Sequence, residues 1–324
     1  MERLSPAVLE SFGVCSVCSR NIKKIKGHYL CSTDNGLVKV HITSEPPEAI
    51  LQQHSIKEYL AAMGFPWTGR FQLTKSGQPY VLIGRETYVM TSLPQHYREI
   101  DIDSEGEVLQ AFKSLAHFHI AAQNMPQTSI PHAQPLPETY THQINELNQA
   151  GKQARRSPRL SDFDVSFIKH APHYKEIMEE SIARLQSTNY TQQRNNAITH
   201  NHLCHNSLKE ENLLSTSPVT HIINFSNAVI DTQLSDIAAL VRRYAQRSSK
   251  SIPIGRLLQA YDKVNPLPQG ATDILHAQLR FPWAFMKIVT QYYSKKRNWT
   301  PNGLLHRMNT ILAERERYND YIQM

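Results

Sequence analysis

The pattern of apolar and polar positions in the first hundred residues predicts a small sheet interrupted by one helix. Apolar residues recur at helical spacing in residues 56–63, and Gly64-Phe65-Pro66 ends that segment. The dipeptide Asn35-Gly36 is typical of a two-residue hairpin turn. Five short runs have strand-like composition and are bounded by turn residues: 28–33, 37–42, 71–74, 79–83 and 87–91. The order of elements therefore predicts a five-stranded antiparallel sheet with a single helix after its second strand.

The rest of the chain has mainly helical periodicity. Apolar residues at helical spacing predict helices around 108–122, 174–185 and 285–292. Residues 126–137, rich in Pro, Gln, Ser and His, predict a loop, and His221-Ile222-Ile223 predicts a short buried strand. We therefore expect an α+β protein with two lobes: a small β-rich lobe over 1–93 and a larger, mainly helical lobe over 94–324.

Composition supports an ordinary globular protein. The 324 residues are 40% hydrophobic and 19% charged, which is enough chain for two cores. No leader-like start and no apolar run of membrane length is visible, so we expect cytoplasmic synthesis and no membrane partner. Four cysteines are too few for a disulfide scaffold, and Cys15-Ser16-Val17-Cys18 has no second pair to complete a zinc site. We expect free thiols and no metal site.

The charge pattern does not favour a nucleic-acid partner. The formal net charge is +7, but the basic pairs are scattered and have no interleaved aromatic residues. Solvated surface charge explains them better. The 16 histidines make a surface charge that varies between pH 5 and 7 possible in principle.

One segment has the spacing of a phosphotransferase catalytic loop. Residues 203–214 fit the pattern L-x-H-G-D-x-x-x-x-N-[IL]-L, with His205 and Asn212 at the expected positions. In that pattern the Asp accepts the proton of the substrate hydroxyl and the Asn binds magnesium. Ser207 occupies the Asp position here. His205 is compatible with bracing the loop as well as with catalysis, and Asn212 is equally suited to satisfying backbone groups at the end of a loop.

A second segment completes the comparison with phosphotransferases. Residues 221–227, followed by 234–240, resemble the I-D-[FW]-[DE]…D-[LI]-A pattern of aminoglycoside and choline phosphotransferases. The resemblance implies that the first Asp binds magnesium and that the later one is commonly structural. This chain keeps the later residue as Asp236 but has Asn224 at the metal position.

Short pieces in a consistent order also resemble the CotS family of bacterial spore coat proteins. These pieces are 74–81, 88–90, 115–119, 185–190 and 203–205. The resemblance, that of a divergent member, implies a bilobal protein-kinase-like fold. It also implies synthesis in the mother cell, a place in the spore coat and other coat proteins as partners.

The nucleotide half of such a site is less clear in the sequence. Alternation along 37–41 puts Lys39 and His41 on one strand face, so Lys39 is the best candidate for the nucleotide-binding lysine. A two-residue shift in the alignment would place His41 at that position instead. An ordinary exposed lysine on a strand is an equally good interpretation of Lys39. The glutamate that usually pairs with this lysine is replaced by His54, with Glu58 one turn later as a substitute. No glycine-rich phosphate loop precedes the first hairpin.

The substitutions affect the same reaction. A serine hydroxyl at Ser207 is too weak a base near neutral pH, and Asn224 removes a negative charge from a site for a hard cation. We therefore expect no catalytic residues and a non-catalytic structural or interaction role, with His205 retained. The alternative is residual phosphotransfer to a small-molecule or protein hydroxyl by a displaced carboxylate, Asp231 or Asp236. ATP and magnesium binding at Lys39 and Asn212 is the corresponding cofactor hypothesis.

Overall fold

A computed structural model of the chain describes residues 4–14, 22–25, 27–33, 36–126, 129–294 and 300–323. The N-terminal lobe is built on a five-stranded antiparallel sheet. Its strands are β1 (Ile22–Ile25), β2 (His28–Thr33), β3 (Gly36–Thr43), β4 (Tyr80–Ile83) and β5 (Glu86–Leu93). They lie side by side in the order β1-β2-β3-β5-β4, so β1 and β4 are the edges. The five-stranded antiparallel sheet predicted from the sequence is confirmed, but the helix Pro47–Ala62 follows its third strand and not its second.

One strand of that sheet differs from the prediction. Residues 71–74 do not form a strand: Phe71 makes a single bridge to Thr91, and Thr74 begins a turn closed by a hydrogen bond from the Gly77 amide. The fifth strand is β1. Its two central lysines are exposed, so its sequence does not show the apolar alternation typical of a strand. Gly36 pairs with Thr33 within the ladder, so it is not a central turn residue. Asn35 lies outside the described residues.

The two faces of the sheet are covered differently. On one face, helix α1 (Pro6–Ser11) buries Val8 and Leu9 in a cluster with Val38 and Val40 of β3. On the other face lies helix α2 (Pro47–Ala62), where Ile50 packs with Phe71 and Val89. Because side chains alternate along β3, Lys39 between the two valines and His41 after them face away from α1. That alternation directs them toward the space between the lobes.

The C-terminal lobe is mainly helical, as predicted. Its helices are α3 (Glu105–Ala121), α4 (Leu136–Arg156), α5 (Asp162–Gln186), α6 (Tyr190–Thr199), α7 (Leu234–Arg247), α8 (Ile254–Asp262), α9 (Ala271–Arg280), α10 (Trp283–Tyr293) and α11 (Pro301–Ile322). Its short strands are β6 (Arg98–Glu99), β7 (Leu203–Cys204), β8 (Leu213–Ser215), β9 (Thr220–Ile222) and β10 (Val229–Ile230). Strands β6, β8 and β9 form one small sheet, and β7 pairs with β10.

Helix α3 occupies the centre of this lobe. Phe112, Leu115 and Phe118 are fully buried in the main hydrophobic cluster, which also takes in residues from α4 to α11. The loop predicted over 126–137 is slightly shorter in the structure, because α4 begins at Leu136. In the part of the chain that the structure describes, no helix combines the length and the apolar character needed to cross a membrane. Cys15 and Cys18 lie outside that part.

Candidate active-site cleft

The predicted catalytic-loop segment connects β7 to β8 and is fixed at its start by His205. The imidazole is buried, and its Nε2 donates to the Ile223 carbonyl oxygen at 2.9 Å. Its Nδ1 accepts from the Ser207 amide at 3.3 Å. Burial lowers the pKa of His205, in keeping with the neutral tautomer that these two partners require. His205 therefore ties the loop to the segment that follows β9.

Asp236, near the start of α7, also holds this loop. Its carboxylate accepts hydrogen bonds from the amides of His205 at 2.6 Å and Asn206 at 2.8 Å. The Nε2 of His119 lies 3.3 Å from it. Burial by itself raises the pKa of Asp236, but the hydrogen bond and charge of His119 and the contacts of His205 outweigh it, and the pKa lies below its ordinary value. Asp236 is thus an ionised group with a supporting role.

The three residues at the catalytic and metal positions form a chain of neutral contacts. The Asn212 amide nitrogen donates to the Ser207 carbonyl oxygen at 2.8 Å. The Asn224 amide nitrogen in turn donates to the Asn212 Oδ1 at 3.3 Å. The Asn224 Oδ1 accepts from the Ser226 hydroxyl at 2.9 Å. Each amide oxygen that is suited to a metal ion therefore already has a partner within the chain.

This donor set does not fit a magnesium ion well. Mg²⁺ favours carboxylates together with phosphate oxygens and water. Asn212 and Asn224 supply only neutral oxygens, and those oxygens are engaged with each other and with Ser226. Among the described residues, no group of three or more His, Cys, Asp or Glu side chains is placed to hold a metal.

The opposite wall of the cleft comes from the N-terminal lobe. Lys39 and His41 of β3 line a cavity of about 340 Å³, together with Asn212 and Asn224 from the C-terminal lobe. The tertiary structure thus brings the predicted lysine to the predicted loop residues. Burial lowers the pKa of Lys39, and the nearby charge of Glu211 opposes this shift.

Helix α2 contributes residues that the sequence analysis did not single out. Gln53 and Lys57 line the cavity, whereas His54 lies to the side with its Nδ1 3.8 Å from Glu58. Glu58 does not substitute for the missing partner of Lys39, because Arg70 binds its carboxylate with Nε at 2.9 Å and with a second nitrogen. The spacing of Gln53 and Lys57, four residues apart, was the available signal, since it places both on one helix face.

The hairpin above the cleft leaves little room for a phosphate-binding loop. Strands β1 and β2 stay paired up to Ile25 and His28, so only two residues connect them. One of these is Gly27, whose φ of +83° is typical of a tight turn.

The sequence as a whole matches one family over most of its length. Residues 10–324 fit the family described as "Spore coat putative kinase YutH". The chain belongs to this spore coat family.

A relative and two solved structures agree with this membership. Spore coat protein S of Bacillus subtilis (strain 168) is 21% identical over 319 residues, which covers 95% of this chain and 90% of the relative. An aminoglycoside phosphotransferase from Alicyclobacillus acidocaldarius superposes with a TM-score of 0.85 at 19% identity, covering 99% of this chain and 95% of that one. Spectinomycin phosphotransferase APH(9)-Ia gives a TM-score of 0.63 at 11% identity, covering 90% and 89%.

These likenesses confirm the fold and the family that the sequence motifs predicted. At identities this low, similarity to the phosphotransferase structures establishes the kinase-like fold alone. This chain therefore combines a kinase-like fold with Ser207 and Asn224 at two positions where the phosphotransferase pattern has Asp. Family membership also places the chain with the spore coat.

Neither of the two displaced carboxylates considered from the sequence lines this cleft. Asp231 is 3% exposed, accepts from the Ser235 hydroxyl at 3.0 Å and lies 3.6 Å from Arg194. Asp236 is 1% exposed and engaged with the loop backbone. Both carboxylates are engaged in contacts within the C-terminal lobe, and neither lines the cleft.

Proposed function

We propose that this chain is a non-catalytic, kinase-like structural or interaction component of the spore coat, made in the mother cell and associated with other coat proteins. The observation that carries the proposal is the neutral hydrogen-bonded chain from Ser207 through Asn212 to Asn224. Two carboxylates would be expected at the ends of this chain in an active phosphotransferase.

The physical reason is the loss of charge where the reaction needs it. Phosphoryl transfer is catalysed by positioning and by neutralising charge on the transferred group. A positioned general base contributes on the order of 10²–10⁴-fold, and a serine hydroxyl does not supply it. With Asn224 in place of a metal-binding carboxylate, the second contribution is lost as well. Asp231 and Asp236 are buried and engaged elsewhere, so they do not replace either group.

Turnover of ATP with magnesium tests the proposal. The purified protein is expected to release no ADP above a buffer control. Ser207→Asp alone is expected to leave this result unchanged, because the metal position still has the neutral Asn224. The measurement is a coupled ADP-release assay, with thermal melting to verify that the variant folds.

The same assay tests the alternative of residual phosphotransfer. Magnesium-dependent turnover by the natural sequence that Lys39→Ala and Asn224→Ala both abolish would overturn the non-catalytic function. Turnover that persists in both variants would instead indicate a contaminating enzyme.

The coat role is tested separately in sporulating cells. A fluorescent fusion that carries Ser207→Asp or Asn212→Ala is expected to reach the spore surface as the unmodified fusion does, because assembly does not depend on chemistry in the cleft. Loss of deposition in a variant that melts normally would show that the cleft takes part in assembly.

A further inference from the structure

The interlobe cleft contains a buried cation with no matching anion. Lys57 on α2 is 2% exposed, and its side chain faces the cavity shared by the two lobes. Its ammonium lies 3.5 Å from the ring centroid of Phe71, which is a favourable contact with the ring face. In the described part of the chain, no carboxylate is within ion-pair distance of it. Burying an unpaired ammonium is costly, so this arrangement calls for a partner.

A second cationic group faces the same space from β3. Lys39 also lines the cavity and forms no ion pair with any described residue. Next to it, the Nδ1 of His41 is buried and has no hydrogen-bond partner in the described residues. Three nitrogen-bearing side chains therefore converge on one volume. Burial, together with the smaller effects of the charges of Lys39 and Lys57, lowers the pKa of His41 to about 4.

Two carboxylates that line the cavity, Glu45 and Glu211, and one on the neighbouring helix face, Glu58, are already engaged or solvated. Glu45 accepts a hydrogen bond from the Gln53 amide. Glu211 has a side chain that is 65% exposed and lies 3.7 Å from Lys209. Glu58, on the same helix as Lys57, is bound by Arg70. None of the three forms an ion pair with Lys39 or Lys57. Glu211 and Glu45 act on these lysines only at longer range, so they offset the positive charge of the cleft in part.

The geometry points to a ligand site: the cleft binds the phosphoryl group of a small phosphorylated molecule directly on Lys39 and Lys57, without a divalent cation. This inference rests on the non-catalytic function proposed above, because it assumes that Asn212 and Asn224 do not organise a metal. An active phosphotransferase would pair its strand lysine with a glutamate on this helix; α2 has His54 at that position and instead directs a second cationic side chain, Lys57, toward the cavity. A doubly charged phosphoryl group matches the two ammonium groups better than a carboxylate would. His41, as a neutral imidazole, supplies one further hydrogen bond.

Proton uptake follows from this site. Burial is the main cause that lowers the pKa of Lys57 to about 7; the charge of Glu45 opposes this shift, the charge of Lys39 adds to it, and Glu58 opposes it more weakly. A bound anion stabilises the protonated ammonium, so binding raises that pKa. At pH 8 a phosphoryl group is fully ionised, because its second pKa is about 6. Binding at pH 8 is therefore expected to take up close to one proton.

The experiment is isothermal titration of the full chain with ATP, ADP, pyrophosphate and inorganic phosphate, each in EDTA and in magnesium. We expect saturable binding in EDTA that magnesium does not strengthen. Comparison of the four ligands distinguishes a nucleotide from a simple phosphate. Repeating the titration at pH 8 in two buffers with different ionisation enthalpies gives the number of protons taken up.

Two variants and one control identify the binding groups. Lys57→Met and Lys39→Met each remove one charge and nearly preserve side-chain length, and each is expected to weaken binding at least about tenfold. Lys57→Met is also expected to abolish the proton uptake. Lys175→Met removes the same charge at an exposed position on α5 and is expected to bind as the natural sequence does. Should one cleft variant fail to fold, the other still decides the question.

The outcomes separate this inference from the proposed function. No binding in EDTA, binding only with magnesium, or unchanged affinity in both cleft variants would overturn the inference. If binding is absent and turnover is absent too, the non-catalytic function stands without the ligand site. If magnesium-dependent turnover appears, the proposed function fails and the inference fails with it.

Discussion

At the scale of single residues, a retained carboxylate holds the loop that borders the cleft. Asp236 accepts two backbone hydrogen bonds from the loop that contains Ser207 and faces His119 in a fully buried position. The residues at the catalytic and metal positions of the phosphotransferase pattern, Ser207, Asn212 and Asn224, by contrast, interact with one another through neutral groups. The conformation of the loop therefore depends on the backbone hydrogen bonds to Asp236.

Asp236→Asn is expected to destabilise the fold by about 2–4 kcal/mol, because it removes a buried charge from three donors and introduces an amide that competes with them. Urea unfolding at pH 7 measures the loss. Asp320→Asn, which neutralises an exposed carboxylate on α11, is the control and is expected to have little effect. An equally small loss at Asp236 would show that the loop does not depend on it.

The lowered pKa of Asp236 predicts that the stability of the fold decreases at acid pH. The folded pKa of Asp236 lies below its ordinary value of 3.8, so the folded state binds this proton less readily than the unfolded chain does. The contribution of Asp236 to the unfolding free energy is fully present above about pH 4 and is lost as the pH falls below that value. The difference in unfolding free energy between natural protein and Asp236→Asn is therefore expected to narrow from pH 5 toward pH 3.

At the scale of elements, helix α5 shows how local capping and tertiary packing support each other. The Ser161 hydroxyl accepts from the Asp164 amide at 3.1 Å, and the Asp164 carboxylate accepts from the Ser161 amide at 3.0 Å. Tyr292 and Tyr293 of α10 hydrogen-bond to these same two side chains. The start of α5 is thereby fixed against α10.

Ser161→Ala is expected to cost about 1–2 kcal/mol, because it removes an N-cap acceptor and the contact with Tyr292. The measurement is the urea midpoint at constant m-value. Ser55→Ala provides a matched control, since this serine is exposed on α2 and bonds only to the preceding turn. Equal losses in the two variants would mean that the capping contact adds nothing to stability.

At the scale of the whole molecule, the two lobes meet closely around Gly69. A Cβ at this position would stand 3.0 Å from Ile223 Cγ2 in the C-terminal lobe and 3.2 Å from Thr91 Cγ2 in β5. Next to it, the Ile222 amide donates to the Trp67 carbonyl oxygen at 2.9 Å. The segment after α2 therefore joins the lobes through direct backbone approach.

Gly69→Ala is expected to destabilise the protein by more than Gly84→Ala does. Both glycines have positive φ, +62° and +64°, so both variants pay about 1–2 kcal/mol of backbone strain. Only Gly69 has side chains within contact distance, and overpacking there adds about 1–3 kcal/mol. Thermal and urea unfolding of the two variants give the difference. If it vanishes, the lobes adjust freely at this junction.

The sequence by itself determined the class of fold and most of its helices and strands. Period-two alternation in 37–42 and helical periodicity in 108–122 are local properties of side chains, so they predicted β3 and α3. The spacing of His205 and Asn212 also marked the loop between β7 and β8. Strand β1 was missed because its two exposed lysines break the apolar alternation, whereas 71–74 alternates apolar and polar residues without forming a strand.

Only the tertiary structure decided which residues share the cleft. Lys39 and Asn212 were predicted to belong to one site and do line one cavity, but Lys57 was not singled out. Its position on α2 becomes meaningful only when the helix packs across the sheet and directs it toward β3. The engagement of Asp231 and Asp236 elsewhere also depends on contacts between residues far apart in the chain. Such contacts follow from packing geometry in three dimensions, which local spacing does not encode.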